Sequence, residues 1–147
     1  MIIYKLKQEN FNHLKTVYKI IPITIDNYIM FYQYIVSSIL YFNDEVVWND
    51  MFTLNDAYKR LKDGMTMYVG LRDSDVFGYT WCKDIAEDRL IFNVFIRNKI
   101  NNKDFTGKEF ISDIIYRYEY TKTIWAEVDD WNEKSIKLFE RLGFHIV

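Results

Sequence analysis

Apolar and polar residues alternate from Ile2 to Leu6, the period of a strand with one buried face. From Asn10 through Ile21 the apolar residues Phe11, Leu14, Val17, Tyr18 and Ile21 recur at helical spacing, so a helix is predicted to follow the strand. A second helical region covers about Asp26 to Leu40. A third starts with Thr53 or Asn55 as N-cap and runs to Lys62, where Asp63-Gly64 ends it. Met65 to Leu71 and Val76 to Cys82 are β-rich runs joined by Arg72-Asp73-Ser74-Asp75, whose short polar side chains suit a tight turn. Arg89 to Arg97 follows the Ala86-Glu87-Asp88 turn and completes an antiparallel meander.

Beyond the meander the pattern changes. A polar loop, Asn98 to Thr106, leads into a helix from about Gly107 to Tyr120 with Phe110, Ile111, Ile114, Ile115 and Tyr118 on one face. Strand Thr123 to Val128 and helix Asn132 to Leu142 follow. Gly143 reads as the helix C-cap, and Phe144-His145-Ile146-Val147 as the start of one more strand. Antiparallel strands leading into a strand-helix-strand-helix half define a mixed α/β domain. At 147 residues and 50% hydrophobic content the chain fills one core, so residues 1 to 147 are read as a single domain.

Charge narrows the partners. With 19 basic against 21 acidic residues the total lacks the positive field that binding a phosphate backbone needs, so nucleic acid is not an expected partner. The longest apolar-rich stretch, Tyr28 to Phe42, is broken by Gln33 and two serines and falls short of the roughly 20 residues of a spanning helix, so no membrane partner is expected. The N-terminus has no signal-peptide pattern, and the one cysteine, Cys82, has no zinc-ligand spacing around it. A cytoplasmic, reducing setting and no metal are expected.

The closing helix carries a more specific signal. Asn132-Glu-Lys-Ser135-Ile-Lys-Leu-Phe139-Glu-Arg-Leu-Gly143-Phe144 is similar to the Asn-x-x-Ala/Ser-Ile-x-Leu-Tyr-x-x-x-Gly-Phe signature of the GNAT superfamily of acyl-CoA N-acyltransferases. The order of elements from about Met65 to Phe144 also resembles the GNAT core. The second signature, Arg/Gln-x-x-Gly-x-Gly/Ala at the turn into the central helix, survives only in its last glycine, Gly107. Asn102 stands for the basic or amide residue and Phe105 for the first glycine.

The resemblance implies a mostly antiparallel sheet flanked by helices, with a splayed strand pair and, because the chain stops three residues after Phe144, a truncated last strand. It implies acetyl-CoA as cosubstrate, its pantetheine held by backbone at Val94, Phe95, Ile96 and Arg97. The diphosphate would lie over Asn102, Lys103, Asp104, Phe105, Thr106, Gly107 and Lys108, where a helix N-terminus offers free N–H groups and partial positive charge. Asn132, Ser135 and Phe139 complete the implied cosubstrate site.

Acetylating an amine requires its ammonium to lose a proton before nitrogen attacks. Glu127 matches the spacing of the base in ribosomal-protein N-acetyltransferases and is the candidate catalytic residue. Glu87 and Asp88 are runners-up, Asn93 is a candidate for ordering a relay water, and Asp129 and Asp130 read as a lure for a cationic acceptor. Phe139 stands where relatives carry the tyrosine that protonates the departing thiolate; Tyr79, Tyr116 and Tyr118 are candidate substitutes. Cys82, His13 and His145 read as uninvolved in chemistry.

Two functions follow. One is acetyl transfer to a primary amine of a small molecule, such as an amino sugar or polyamine, or of a protein N-terminus. The other is a CoA-binding module with little or no turnover. The short last strand leaves a sheet edge that a homodimer would cover.

Overall fold

The computed structural model describes residues 1–6, 19–45, 52–97, 105–116 and 123–147. In chain order these form β1 (Ile2–Leu6), β2 (Lys19–Ile23), α1 (Tyr32–Glu45), α2 (Leu54–Lys62), β3 (Thr66–Arg72), β4 (Asp75–Ile85), β5 (Asp88–Ile96), α3 (Phe105–Tyr116), β6 (Thr123–Val128), α4 (Glu133–Arg141) and β7 (Phe144–Ile146). The strands make one sheet in the order β2-β3-β4-β5-β6-β1-β7. Every pairing is antiparallel except β5 with β6.

Alternation along the strands divides the core in two. Ile124, Ala126 and Val128 of β6 pack with α3 and α4, where Phe110, Ile111, Ile114 and Ile115 have no exposed surface. Burial at about 1.5–3 kcal/mol for each such side chain makes α3 a main anchor of the sheet. Tyr79 and Trp81 of β4 point the other way and pack with Ile35, Ile39 and Phe42 of α1 and Ala57 and Leu61 of α2.

The meander forms as the pattern predicts. Its two turns place Asp73 (φ 57°) and Ala86 (φ 54°) in the left-handed region, easier for the short aspartate than for alanine. Helix α2 starts at the expected Thr53, whose hydroxyl accepts from the Asp56 N–H at 3.1 Å while the Asp56 carboxylate accepts from the Thr53 N–H at 3.0 Å. The Arg89 guanidinium, buried at the start of β5, donates to the Asp84 carboxylate at 2.6 and 3.0 Å and to the Tyr68 hydroxyl at 3.0 Å, tying β5 to β4 and β3.

Three expectations are corrected. The helix predicted for Asn10 to Ile21 does not hold at its end: Lys19–Ile23 is an edge strand pairing with β3, and residues 7–18 lie outside the described residues. Ile20, Ile21 and Ile23 are β-branched and buried, and Pro22, which cannot donate, is tolerated because β2 is at an edge. The second helix starts late, after turns from Ile25 to Phe31, because Asn27 accepts from the Thr24 N–H at 2.8 Å and donates to the Pro22 carbonyl at 3.0 Å. Helix α3 begins at Phe105 and is described to Tyr116; the rest of its predicted span, like Asn98 to Asp104, lies outside the described residues.

Beyond β6 the last strand is short, as expected: β7 has three residues, and it does not lie beside β6. β1 lies there, antiparallel to β6 from Ile2↔Val128 to Leu6↔Ile124, and β7 pairs on the other side of β1. The short β7, and not β6, is therefore the edge of the sheet at this end.

Candidate functional site

β5 and β6 run parallel and pair only from Asp88↔Thr123 to Ile91↔Ala126. Past that point they part. On its other side β5 stays with β4, but the register shifts: Trp81 opposes Phe92 and Tyr79 opposes Phe95, so Thr80 faces two residues, Asn93 and Val94. This is a β-bulge, and Asn93 takes φ 49° within it. The Thr80 hydroxyl donates to the Phe92 carbonyl at 2.9 Å and fixes the bulge from beneath. A bulge turns one strand away from its neighbour, and here the neighbour it leaves is β6.

The opening is a cleft of about 430 Å³. Phe92 to Phe95 form one wall, Glu127 and Val128 with Asp129 another, and Trp131, Asn132 and Ser135 close it from the start of α4, with Phe139 further along that helix. Phe52, Asp56, Arg60 and Tyr79 line it from the α1–α2 face of the sheet. Of the sequence-derived residues, Glu127, Val94, Phe95, Asn132, Ser135 and Phe139 thus share one cleft. Ile96 and Arg97 continue β5 beyond it; the Arg97 N–H donates to the Phe77 carbonyl at 2.7 Å, and its guanidinium lies 4.0 Å from the Tyr41 ring centre.

Gly107 and Lys108 are in the first turn of α3, beside the outer end of β5. A Cβ on Gly107 would come within 3.0 Å of Ile96 Cδ1 and 3.7 Å of Leu138 Cδ1, so the glycine lets α3 lie close to both β5 and α4. Phe105 and Thr106 start the same helix. Asn102, Lys103 and Asp104 lie outside the described residues.

The signature residues of α4 have structural work. Asn132 is the N-cap, its side-chain oxygen accepting from the Ser135 N–H at 3.2 Å. Gly143, at φ 92°, takes the left-handed conformation that ends the helix. Phe139 reaches the cleft floor but is fully buried, its ring 6.1 Å from Tyr4 and 5.0 Å from Phe144.

The two runner-up carboxylates are elsewhere. Glu87 is exposed in the turn before β5, and Asp88 accepts from the Trp125 indole N–H at 3.0 Å; both sit at the end where β5 and β6 are paired. Asp130 pairs with the Met1 amino group at 2.6 Å, which holds its carboxyl below the usual range, whereas Asp129 lines the cleft. Of the two candidate tyrosines among the described residues, Tyr79 lines the cleft and Tyr116 is exposed on α3; Tyr118 lies outside the described residues. Burial pushes the Tyr79 phenol upward, so it stays protonated at neutral pH. Burial also pushes the Cys82 thiol up to about 12, which makes it inert. His145 is exposed on β7, and His13 lies outside the described residues. No group of three or more metal-ligand side chains occurs among the described residues, and no helix among them is long and apolar enough to cross a membrane.

Arg60 was not legible as a site residue. Its guanidinium carbon lies 5.0, 5.2 and 5.4 Å from the ring centres of Phe52, Trp81 and Phe92, and Nη1 donates to Asn93 Oδ1 at 2.7 Å. In the sequence it is one of three basic residues near the end of a polar helix, and the rings that hold it are distant in the chain.

No family model matches the chain, and no curated protein matches it. Solved structures do. A ribosomal-protein-alanine N-acetyltransferase from Brucella melitensis biovar Abortus 2308 superposes with a TM-score of 0.59 at 14% identity, over 86% of this chain and 91% of that one. An aminoglycoside acetyltransferase from an uncultured soil metagenomic sample, in complex with sisomicin, gives 0.58 at 15% identity over 92% and 90%. A tandem GNAT protein from the clavulanic acid biosynthesis pathway gives 0.59 at 13% identity, and there 99% of this chain spans 49% of the other. The chain has the GNAT fold.

Proposed function

We propose that the protein transfers an acetyl group from acetyl-CoA to a primary amine, with both reactants meeting in the cleft between β5 and β6. The observation that carries this reading is the parting of two parallel strands past Ile91 and Ala126 at a bulge, with a carboxylate, Glu127, on the opened wall.

The chain's groups fit the cosubstrate. Past Ile91 the β6-facing side of β5 has no strand partner among the described residues, and it offers an edge to the amides of pantetheine, which pair there as an added strand would. The first turn of α3 has N–H groups without partners inside the helix and the positive end of its dipole, which suit a diphosphate, and Gly107 brings that turn close to β5. Acetyl-CoA supplies an activated acyl carbon and a leaving thiolate.

On the acceptor side, Glu127 takes the ammonium proton directly or through a water, leaving the nitrogen pair free to form the new C–N bond as the C–S bond breaks, and the second proton that the acylated nitrogen sheds passes to the thiolate or to solvent. One N–H of the β5 wall donates to the carbonyl oxygen as it gains charge. Phe139 has no proton to give the thiolate. Protonated Tyr79 is the hydroxyl at hand, and a thiolate with an ordinary thiol pKa near 8.5 also departs unaided near neutral pH, at some cost in rate. Amine-dependent release of free thiol from acetyl-CoA, followed across small amines, polyamines, amino sugars and short peptides, tests the reading. Binding of acetyl-CoA without thiol release from any of them would replace it with a CoA-binding module, the alternative that Phe139 favours.

Gly107→Glu probes the cosubstrate half. The new side chain adds bulk against Ile96 and Leu138 and a negative charge at the turn assigned to phosphate. Acetyl-CoA affinity by titration calorimetry is expected to fall by about tenfold or more, equivalent to about 1.4 kcal/mol. Unchanged affinity in a folded variant would move the diphosphate away from α3.

A further inference from the structure

We propose, building on the acetyl-transfer reading, that the acceptor amine also carries an oxyanion, a carboxylate or a phosphate, which binds to Arg60 on the α2 wall of the cleft. Arg60 is half-buried and permanently cationic, with five N–H donors, of which the one to Asn93 has a neutral acceptor at 2.7 Å. Its other neighbours are the faces of Phe52, Trp81 and Phe92, which attract a cation without accepting its hydrogen bonds in the way a carboxylate does.

Among the described residues no carboxylate forms an ion pair with Arg60. Asp56, one turn earlier on α2, attracts it only at longer range, because the Asp56 carboxylate is engaged with the Thr53 N–H at 3.0 Å and the Thr53 hydroxyl at 2.8 Å. Half-burial takes part of the water away from the guanidinium, and an anion in the cleft would satisfy donors that the ring faces do not. The cleft is where that anion has room, since Arg60 lines it.

Asn93 connects the arginine to the chemistry. It sits in the bulge that opens the cleft, with φ 49°, and its side chain orients the guanidinium. Glu127 and Asp129, from β6 and the turn after it, face the same 430 Å³ space and suit the ammonium end of the acceptor. The walls thus offer carboxylates to an ammonium and a guanidinium to an oxyanion, the complement of a small zwitterion rather than of a polyamine.

The test compares matched acceptors. Alanine, phenylalanine and lysine are set against their carboxamides, and phosphoethanolamine against ethanolamine, with kcat/KM read by thiol release. Calorimetric binding of the same compounds to the protein saturated with CoA reads the preference independently of turnover. In the wild type at least one anionic member is expected to exceed its neutral partner about tenfold, and the preferred pair identifies carboxylate or phosphate. Arg60→Met, which keeps an apolar stem among the rings, should bring that ratio near one, and Arg60→Lys should retain part of it. Equal constants within every wild-type pair, or a ratio unmoved in Arg60→Met, overturns the inference; a fall common to both members of a pair means a packing role only. Thiol release from neutral amines alone would sink this inference and leave acetyl transfer standing, whereas anion-selective binding without any thiol release would do the reverse.

Discussion

Glutamine in place of Glu127 is expected to lower turnover by about 10²-fold or more, the usual contribution of a positioned base, while acetyl-CoA affinity stays close to the wild-type value. Glu127 is half-buried at the opened end of β6, and the amide is nearly isosteric, so the strand and its pairing with Ile3 should persist. The deficit should narrow as pH rises toward the amine pKa, where more acceptor arrives already deprotonated. A pH–rate profile of both proteins on one acceptor checks this. Wild-type rates at pH 7 would return Glu127 to a solvated position on the strand and leave Asp129 as the carboxylate to test. Glu87 and Asp88 would not be the next choice, because they lie at the paired end of β5 and β6.

The largest effect on stability is expected at Phe139. Its ring is fully buried and joins three elements, lying against Tyr4 of β1 and Phe144 of β7 from its place on α4. Phe139→Ala should cost about 3–5 kcal/mol from lost transfer energy and the cavity left behind. A chain of this size loses roughly 2–4 °C in Tm per kcal/mol, so thermal unfolding should shift by roughly 6–20 °C. A shift of a degree or two would mean that β1 and β7 are not held through this ring. Phe139→Tyr is the informative companion. Its hydroxyl enters a region where the buried Tyr4 hydroxyl already has no hydrogen-bond partner among the described residues, so some stability should be lost, and turnover rises only if thiolate departure limits the rate.

The sequence carried the meander, α2, β6 and α4 because each has an unambiguous period with explicit stops: the Thr53 cap, the two turns, Asn132 and Gly143. It misled at Lys19–Ile23, where the apolar spacing continued a helical count although three isoleucines and a proline favour an edge strand. The place of β1 between β6 and β7 was not legible, since pairing across the whole chain length leaves no local pattern.

The site was legible in part, and for a partly different reason than the structure supplies. Asn132, Gly143 and Phe139 mark the family resemblance, yet here they cap α4, end it and fill the core. The cleft itself depends on an extra residue at Asn93–Val94, and alternation along Arg89 to Arg97 does not reveal a bulge. Arg60 becomes a site residue only when Phe52, Trp81 and Phe92 are folded around it.

The most direct test of the central claim is amide hydrogen exchange with and without acetyl-CoA. If the cosubstrate pairs with the opened edge of β5 and rests on the start of α3, exchange should slow at Phe92 to Ile96 and in the first turn of α3, with little change along β2. Protection confined to other elements, or none at saturating acetyl-CoA, would contradict a cosubstrate site between β5 and β6.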